Sequence, residues 1–327
     1  MYKVSIVIPI YNVENYIVRC AESLFNQTLD DIQFIFVDDA TPDKSIVLLE
    51  QTLERFPQRK KQTIILHHPT HLGLPTARAT GLARVEASYV AHCDSDDYVE
   101  PTMYARLYEN AQQNNSDMVI CGRIFHHADG RVISSFDKPN LKEDLIHNYL
   151  YNRMCSFVWC RLTKTDIYRK VHFPSEDYLE DFVQIVQLLT YAKRVSFLNE
   201  CLYHYIQRPM SITTDTREEV IENKMRQCII NYYLMHDFVV AHHIVKEKDF
   251  YYKKYSVRGR FLPQNKKRGF REKYLQTFPE LNFRLFSYQN VPLRHKRDHL
   301  LVLLGLYPIV KNTYDAFRSR SFLCHVG

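Results

Sequence analysis

Three carboxylates fall within four residues at Asp94-Ser95-Asp96-Asp97, and an acidic pair, Asp38-Asp39, stands earlier in the chain. An Asp-x-Asp on a strand-to-loop turn is a hard-oxygen donor set, because Mg2+ or Mn2+ takes a few carboxylate oxygens and completes its shell with phosphate oxygens and water. The same acids could instead cap the helix expected near Pro101, where negative charge suits the N-terminal dipole. An EF-hand is excluded. Counted from Asp94, its glycine position holds Val99 and its closing glutamate position holds Ala105. The chain has no GxGxxG, no GxxxxGK(S/T) and only 8 glycines, so nicotinamide-type and P-loop readings are weak.

The elements that must position these groups alternate regularly. Strands are expected over Val4 to Ile10, Ile32 to Val37, Thr63 to His67 and Tyr89 to His92. Between them, helices are expected over Val13 to Asn26, Asp43 to Arg55 and Leu74 to Val85. Continuously apolar strands separated by helices mean βαβ units: an α/β fold with a Rossmann-like, mostly parallel central sheet and flanking helices. Ligands of such sheets sit beyond the C-terminal strand ends, which here carry Pro9-Ile10-Tyr11-Asn12, Asp38-Asp39, His67-His68 and the Asp94 to Asp97 cluster. Further on, a helix is expected from Pro101 to about Asn114, a strand from Met118 to Phe125 and a helix from Glu180 to Tyr191. Two short strands follow, Arg194 to Leu198 and Leu202 to Ile206. His67, His68, His126 and His127 lack metal-ligand spacing and read as surface or packing residues.

The 327 residues suffice for one large or two ordinary domains. Charge divides them: 21 Lys+Arg against 26 Asp+Glu up to His204 give −5, and 22 against 11 beyond it give +11. The expected division is a domain over residues 1–212 and a basic, mostly helical region over 213–327. The 8 cysteines are scattered without a CxxC, which fits a reduced, cytoplasmic setting. The opening MYKVSIVIPIYN reads as a strand rather than a secretion signal, and Leu300 to Val310 is too short to cross a bilayer.

In order and spacing, VSIVIPIYN from Val4, SLFNQT from Ser23, FIFVDDATPDKS from Phe34, HLGLPTARATGL from His71 and YVAHCDSDDYVEP from Tyr89 closely resemble one known domain. It is the nucleotide-diphospho-sugar domain of family 2 glycosyltransferases, which has the GT-A fold. FVWCRLTKTDIY from Phe157, YLEDF from Tyr178 and LYHYIQRPMSI from Leu202 continue the resemblance, which covers residues 3–212. It implies an inverting, metal-dependent transferase that moves a sugar from a nucleotide-sugar donor, a UDP-sugar, to a hydroxyl of a glycan or lipid-linked glycan in polysaccharide biosynthesis.

By the same resemblance, Pro9 and Tyr11 line the donor base, with Tyr11 stacking on it, Asp39 bonding its edge and Asp38 beside it. Such roles suit an aromatic face and a carboxylate acceptor. Alternatively, Tyr11 is a loop aromatic and Asp39 caps the helix near Asp43. Arg78 matches a position near the donor diphosphate. Asp94 would touch ribose or sugar, with Ser95 beside it, and Asp96, together with Asp94, would hold Mn2+ or Mg2+. Asp181, with Glu180 next to it, matches the general base; the plainer reading is two acids complementing a helix dipole. Arg208, near His204, would pair with phosphate. Trp159 falls on the acceptor side in the resemblance, and as a lone tryptophan it reads equally as core. Ala79 and Ile206 depart from the family pattern, where asparagine and arginine are common.

NKKRGFREKYLQTF from Asn265 and the stretch from Arg294 combine basic clusters with apolar helical faces. They point to peripheral contact with an anionic membrane, at the inner face of the cell membrane, or to a helical cap with a solvated basic face. No nucleic-acid module is present, so no nucleic-acid partner is expected. Two rival readings are a catalytically inactive nucleotide-sugar-binding protein and a nucleotidyltransferase. The second should carry a glycine-rich basic loop after the first strand, where this chain has Pro9-Ile10-Tyr11-Asn12.

Overall fold

A computed structural model of the protein describes residues 2–140, 144–208, 217–244, 247–259, 262, 269–283 and 291–311. Residues 1–149 with 153–238 form one compact unit, and residues 150–152 with 239–327 form a second. The boundary expected after residue 212 falls outside the described residues, and by internal contacts the division lies between Phe238 and Val239.

The first unit is built on a single sheet. Its strands are β1 (Val4–Ile10), β2 (Ile32–Asp38), β3 (Thr63–His67), β4 (Tyr89–His92), β5 (Tyr98–Val99), β6 (Met118–His126), β7 (Val132–Ser135), β8 (Arg161–Lys164) and β9 (Val195–Ile206). The order is β3-β2-β1-β4-β8-β6-β9-β5, with β7 added to β6. The four strands β3-β2-β1-β4 are all parallel, so their C-terminal ends share one edge. Beyond β4 the sheet is mixed: β8 is antiparallel to both β4 and β6, and β6 runs parallel to β9. The two short strands expected near Arg194 and Leu202 are one strand, β9, whose register against β6 shifts around Gly122.

Every residue of β1 is buried, as expected for a strand covered on both faces. Helix α1 (Ile17–Phe25) buries Ile17, Cys20, Ala21, Leu24 and Phe25, the three-and-four spacing of one helical face. Helices α2 (Ser45–Glu54) and α3 (Leu74–Leu82) follow β2 and β3. Gly81 lets α3 lie close on the sheet, since a Cβ there would meet Val7 Cγ1 at 2.4 Å. That approach carries Arg78 of α3 to the strand ends. The next helices are α4 (Met103–Gln113), α5 (Leu145–Leu150), α6 (Thr165–Tyr168), α7 (Glu180–Tyr191) and α8 (Glu218–Ala241).

The second unit contains α9 (Glu247–Gly259), α10 (Phe270–Gln276) and α11 (Leu293–Leu303). Leu262, Phe270, Tyr274, Val302 and Tyr307 form its core. Arg258 is fully buried there, donating to the Tyr274 and Leu275 carbonyls and to Asn282 Oδ1. Burial lowers its pKa to about 10. Of the basic segments singled out above, 265–268 and 312–327 lie outside the described residues. No described helix is long and apolar enough to cross a membrane.

Candidate functional site

At the end of β1 the chain turns at Asn12, whose φ is +54°, and leaves Tyr11 40% exposed. Its ring stacks on His71, with centroids 3.9 Å apart and planes 23° from parallel. Asp38, at the end of β2, accepts from the Thr41 amide at 2.8 Å and faces His67 Nδ1 at 2.9 Å. Asp39 is buried and meets three hydrogen-bond donors, the amides of Leu72 (2.8 Å) and Gly73 (2.9 Å) and His68 Nδ1 (2.7 Å), and pairs with His71, whose Nδ1 lies 2.7 Å away. His68 is itself held by Thr80 Oγ1 at 2.9 Å, so Nδ1 donates to Asp39 while Nε2 accepts from the hydroxyl. Burial alone would raise the Asp39 pKa, but the His68 bond and the two amides outweigh it and hold the carboxyl below its ordinary range. Gly73 is required here. Its φ is +91°, and a Cβ would lie 2.7 Å from Asp177 Oδ1, which accepts from the Leu74 amide. Asp39 therefore fixes the loop that starts α3 and does not cap α2.

The second cluster centres on Arg78, which is 1% exposed. It pairs with Asp94 at 2.7 Å, with Asp181 at 2.6 Å and with Glu180. Glu180 also accepts from Gln184 one turn along α7. The Asp94 and Asp181 side chains keep 26% and 20% exposure, so one edge of each faces outward. Burial raises the Asp94 pKa against the pull of Arg78, and with repulsion from Asp96 and Asp181 it reaches about 6. Burial raises Asp181 as well, opposed by Arg78 and Arg161. Asp96 pairs with Arg208 Nε, and the Arg208 cation lies 5.8 Å from the Tyr16 ring centroid. Ser95 is buried between them.

Asp97 faces inward, accepting from the Tyr203 hydroxyl at 2.8 Å and the Ile206 amide at 2.7 Å. Tyr203 also accepts from the Asp94 amide, which ties the acidic loop to β9. None of these acids caps α4, whose start has no side-chain cap. The loop before α7 is tied to α8, since Asn231 donates to the Glu176 and Tyr178 carbonyls, both at 2.9 Å.

Trp159 is 1% exposed and stacked against Phe157 (4.6 Å) and Tyr203 (4.0 Å). Of its two readings, the observed position is the core one: both ring faces are covered by protein. Its neighbour Val158 nevertheless acts on the site, its backbone favouring the charged form of Asp181. His204 bonds Glu100 at 2.8 Å and His126 at 2.9 Å and stacks on Tyr98.

The structure thus gathers Asp94, Glu180 and Asp181 around Arg78, and Asp96 with Arg208, on the strand-end edge that also carries Pro9, Tyr11, Asp38 and Asp39. Sequence reasoning missed His68 and His71 as partners of Asp39, and Asp177 as the brace of the α3 loop. The one available signal was that His67-His68 and Asp38-Asp39 close neighbouring strands. Asp94 and Asp96 are partly exposed hard-oxygen donors, a set that fits Mg2+ or Mn2+ bound jointly with phosphate. Among the described residues, no group of three or more His, Cys, Asp or Glu forms a protein-only metal cage.

The sequence profile described as Glycosyl transferase family 2 matches residues 5–171, just over half of the chain. The uncharacterized glycosyltransferase EpsJ of Bacillus subtilis is 34% identical over 221 residues, 64% of this chain and 62% of that protein. The chain thus spans less than two thirds of that relative's length. The structure of S. aureus TarS residues 1–349 in complex with UDP-GlcNAc superposes with a TM-score of 0.69 at 17% identity, covering 96% of this chain and 92% of that one. A mannosyltransferase from Pyrobaculum calidifontis, in complex with GDP-Man and Mn2+, gives 0.52 at 11% identity over 96% and 88% of the two chains. These likenesses establish a GT-A-like α/β fold followed by C-terminal helices.

Proposed function

The chain belongs to glycosyl transferase family 2, and on that premise we propose that it is an inverting, metal-dependent glycosyltransferase. It takes a sugar from a nucleotide-sugar, a UDP-sugar, and passes it to a hydroxyl of a growing glycan or lipid-linked glycan in polysaccharide biosynthesis. One observation carries this reading: a single buried guanidinium, Arg78, holds the Asp-x-Asp carboxylate Asp94 and the helix-start carboxylate Asp181 together. A donor-side acid and a candidate base thereby meet, although they are distant in the chain.

In the proposed reaction, Asp181 takes the proton of the acceptor hydroxyl as its oxygen attacks the anomeric carbon. The bond from that carbon to the diphosphate breaks on the opposite face, and its electron pair leaves with the diphosphate. A carboxylate whose pKa is raised toward neutrality is the better proton acceptor, and Asp181 is shifted that way. Glu180 holds Nη1 of the Arg78 guanidinium, the nitrogen that also pairs with Asp181. Tyr11 offers the base a stacking face and Asp39 an acceptor for an imide N–H, which favours uracil. Arg208 passes from Asp96 to a phosphate oxygen. Mn2+ or Mg2+, held by Asp96 and Asp94, would neutralise charge on the leaving nucleoside diphosphate.

Outside the first unit, Leu293, Leu304, Leu306 and Ile309 are exposed, as are the Arg294 and Arg297 side chains that pair with Asp298, which supports peripheral contact with an anionic membrane on the cytoplasmic side. Pelleting of the full chain with phosphatidylglycerol vesicles, and not with phosphatidylcholine vesicles, is expected.

The central test is donor consumption by the full chain across a panel of nucleotide-sugars, with and without Mn2+. UDP-sugar turnover that needs Mn2+ and yields the inverted anomer is expected. Thermal stabilisation by UDP with Mn2+ but no turnover would favour the inactive binding protein instead.

A further inference from the structure

The His71 ring has its own part in the base end of the site. It covers one face of Tyr11 with centroids 3.9 Å apart, and its Nδ1 lies 2.7 Å from Asp39 Oδ2. Stacking on Tyr11 and bonding Asp39 are the two contacts the proposed reading gives to the donor base. We propose that His71 is an affinity-limiting side chain that occupies the nucleobase position and is displaced when the donor binds; this rests on the reading of Tyr11 and Asp39 as the base site.

The four partners of Asp39 are not equally movable. The Leu72 and Gly73 amides belong to the loop braced by Asp177, and a shift there would disturb the start of α3. His68 has only 8% of its side chain exposed and is pinned by Thr80. His71 is 46% exposed, and its side chain can swing outward without moving the backbone. At 3.9 Å the two rings leave no room for a third between them, so a base reaches this face of Tyr11 only by taking the place of His71.

The exchange sets a requirement on the incoming base. It must give Asp39 a donor in place of the His71 ion pair that is removed, because a buried carboxylate left short of a partner is costly. Uracil and guanine each present a ring N–H to an acceptor and meet this requirement. Cytosine presents a bare ring nitrogen at the corresponding position and faces the carboxylate with a lone pair. His71 thus weakens binding of every nucleotide by the same factor, and the choice among bases lies with Asp39.

The test is calorimetric titration of the full chain with UDP, GDP and CDP in the presence of Mn2+. With His71→Ala, the preferred nucleotide should bind about fivefold more tightly than to wild type, about 1 kcal/mol at 1.4 kcal/mol per decade. His71→Ser serves in its place if a thermal melt shows that the alanine variant is not folded. Unchanged or weaker binding by the folded variant overturns the displacement, provided Asp39→Asn and Tyr11→Ala still weaken the same nucleotide. If those two substitutions leave binding untouched, or wild type binds none of the three nucleotides, the base-site reading itself falls and His71 with it.

Discussion

The two ends of the site handle negative charge in opposite ways. At the Tyr11 end the buried carboxylate Asp39 has three hydrogen-bond donors and a histidine ion-pair partner to itself and sits below its ordinary pKa. At the Arg78 end four carboxylates, Asp94, Asp96, Glu180 and Asp181, share the guanidinium groups of Arg78 and Arg208, and Asp94 rises to about 6. The first end is electrostatically complete and can only exchange one donor for another, which suits recognition of a neutral base. The second carries more anions than cations, so it gains from an added cation and can hold or release a proton nearer neutral pH. Recognition and proton transfer are divided between regions built with opposite charge balance.

The sharpest way to break this contrast is Asp181→Asn. Transfer should fall about 10³-fold, within the range for loss of a positioned general base, while UDP affinity stays within about twofold. Equal loss of both would mean that Asp181 belongs to binding. Arg78→Met comes next. It leaves Asp94, Glu180 and Asp181 without their shared partner, and urea unfolding at pH 7 should show a loss of about 3–5 kcal/mol. The loss should shrink at pH 5, where Asp94, with its pKa near 6, takes up a proton in the native chain. A pH-independent loss would mean the cluster is not charge-limited. At the other end, Asp39→Asn replaces an anionic acceptor by an amide and should weaken UDP binding about tenfold, the scale of one hydrogen bond to a charged group. Turnover at saturating donor should be unaffected.

The strands that carry the site were legible because they are local. Val4–Ile10, Thr63–His67, Tyr89–His92 and the helix Glu180–Tyr191 coincide with the expected bounds, each marked by an apolar run or a helical period. β5, β7 and β8 were not anticipated. They have 2, 4 and 4 residues; β5 and β8 exist through antiparallel partners remote in the chain, and β7 closes a short hairpin with β6. Arg161–Lys164 reads as polar, yet Arg161 is buried there, donating to the Cys155 and Phe157 carbonyls. The acids were found by their spacing, whereas their partners were not. His68 lies 29 residues from Asp39, and Arg78 lies 103 from Asp181, separations at which a single sequence carries no pairing signal. The resemblance put Arg78 near the donor and Asp181 at the general base, but the ion pair between them is a finding of the structure.

The smallest expected effect separates the two ends by sign. The native Asp39 pKa lies below the ordinary 3.8, so the unfolded chain takes up that proton first as the pH falls. Its contribution to stability is therefore complete above 3.8 and is lost as the pH drops through the native value. Asp181 lies above 3.8, so its contribution is complete below 3.8 and is lost as the pH rises through its own native value. Urea unfolding between pH 3 and pH 7 should show Asp39→Asn flattening the acid side of the stability profile and Asp181→Asn flattening the opposing fall above it. Each change should be the smallest of these effects, since both side chains keep compensating partners. Slopes of the same sign at both positions would mean that burial, rather than the ratio of donors to carboxylates, governs the two ends alike.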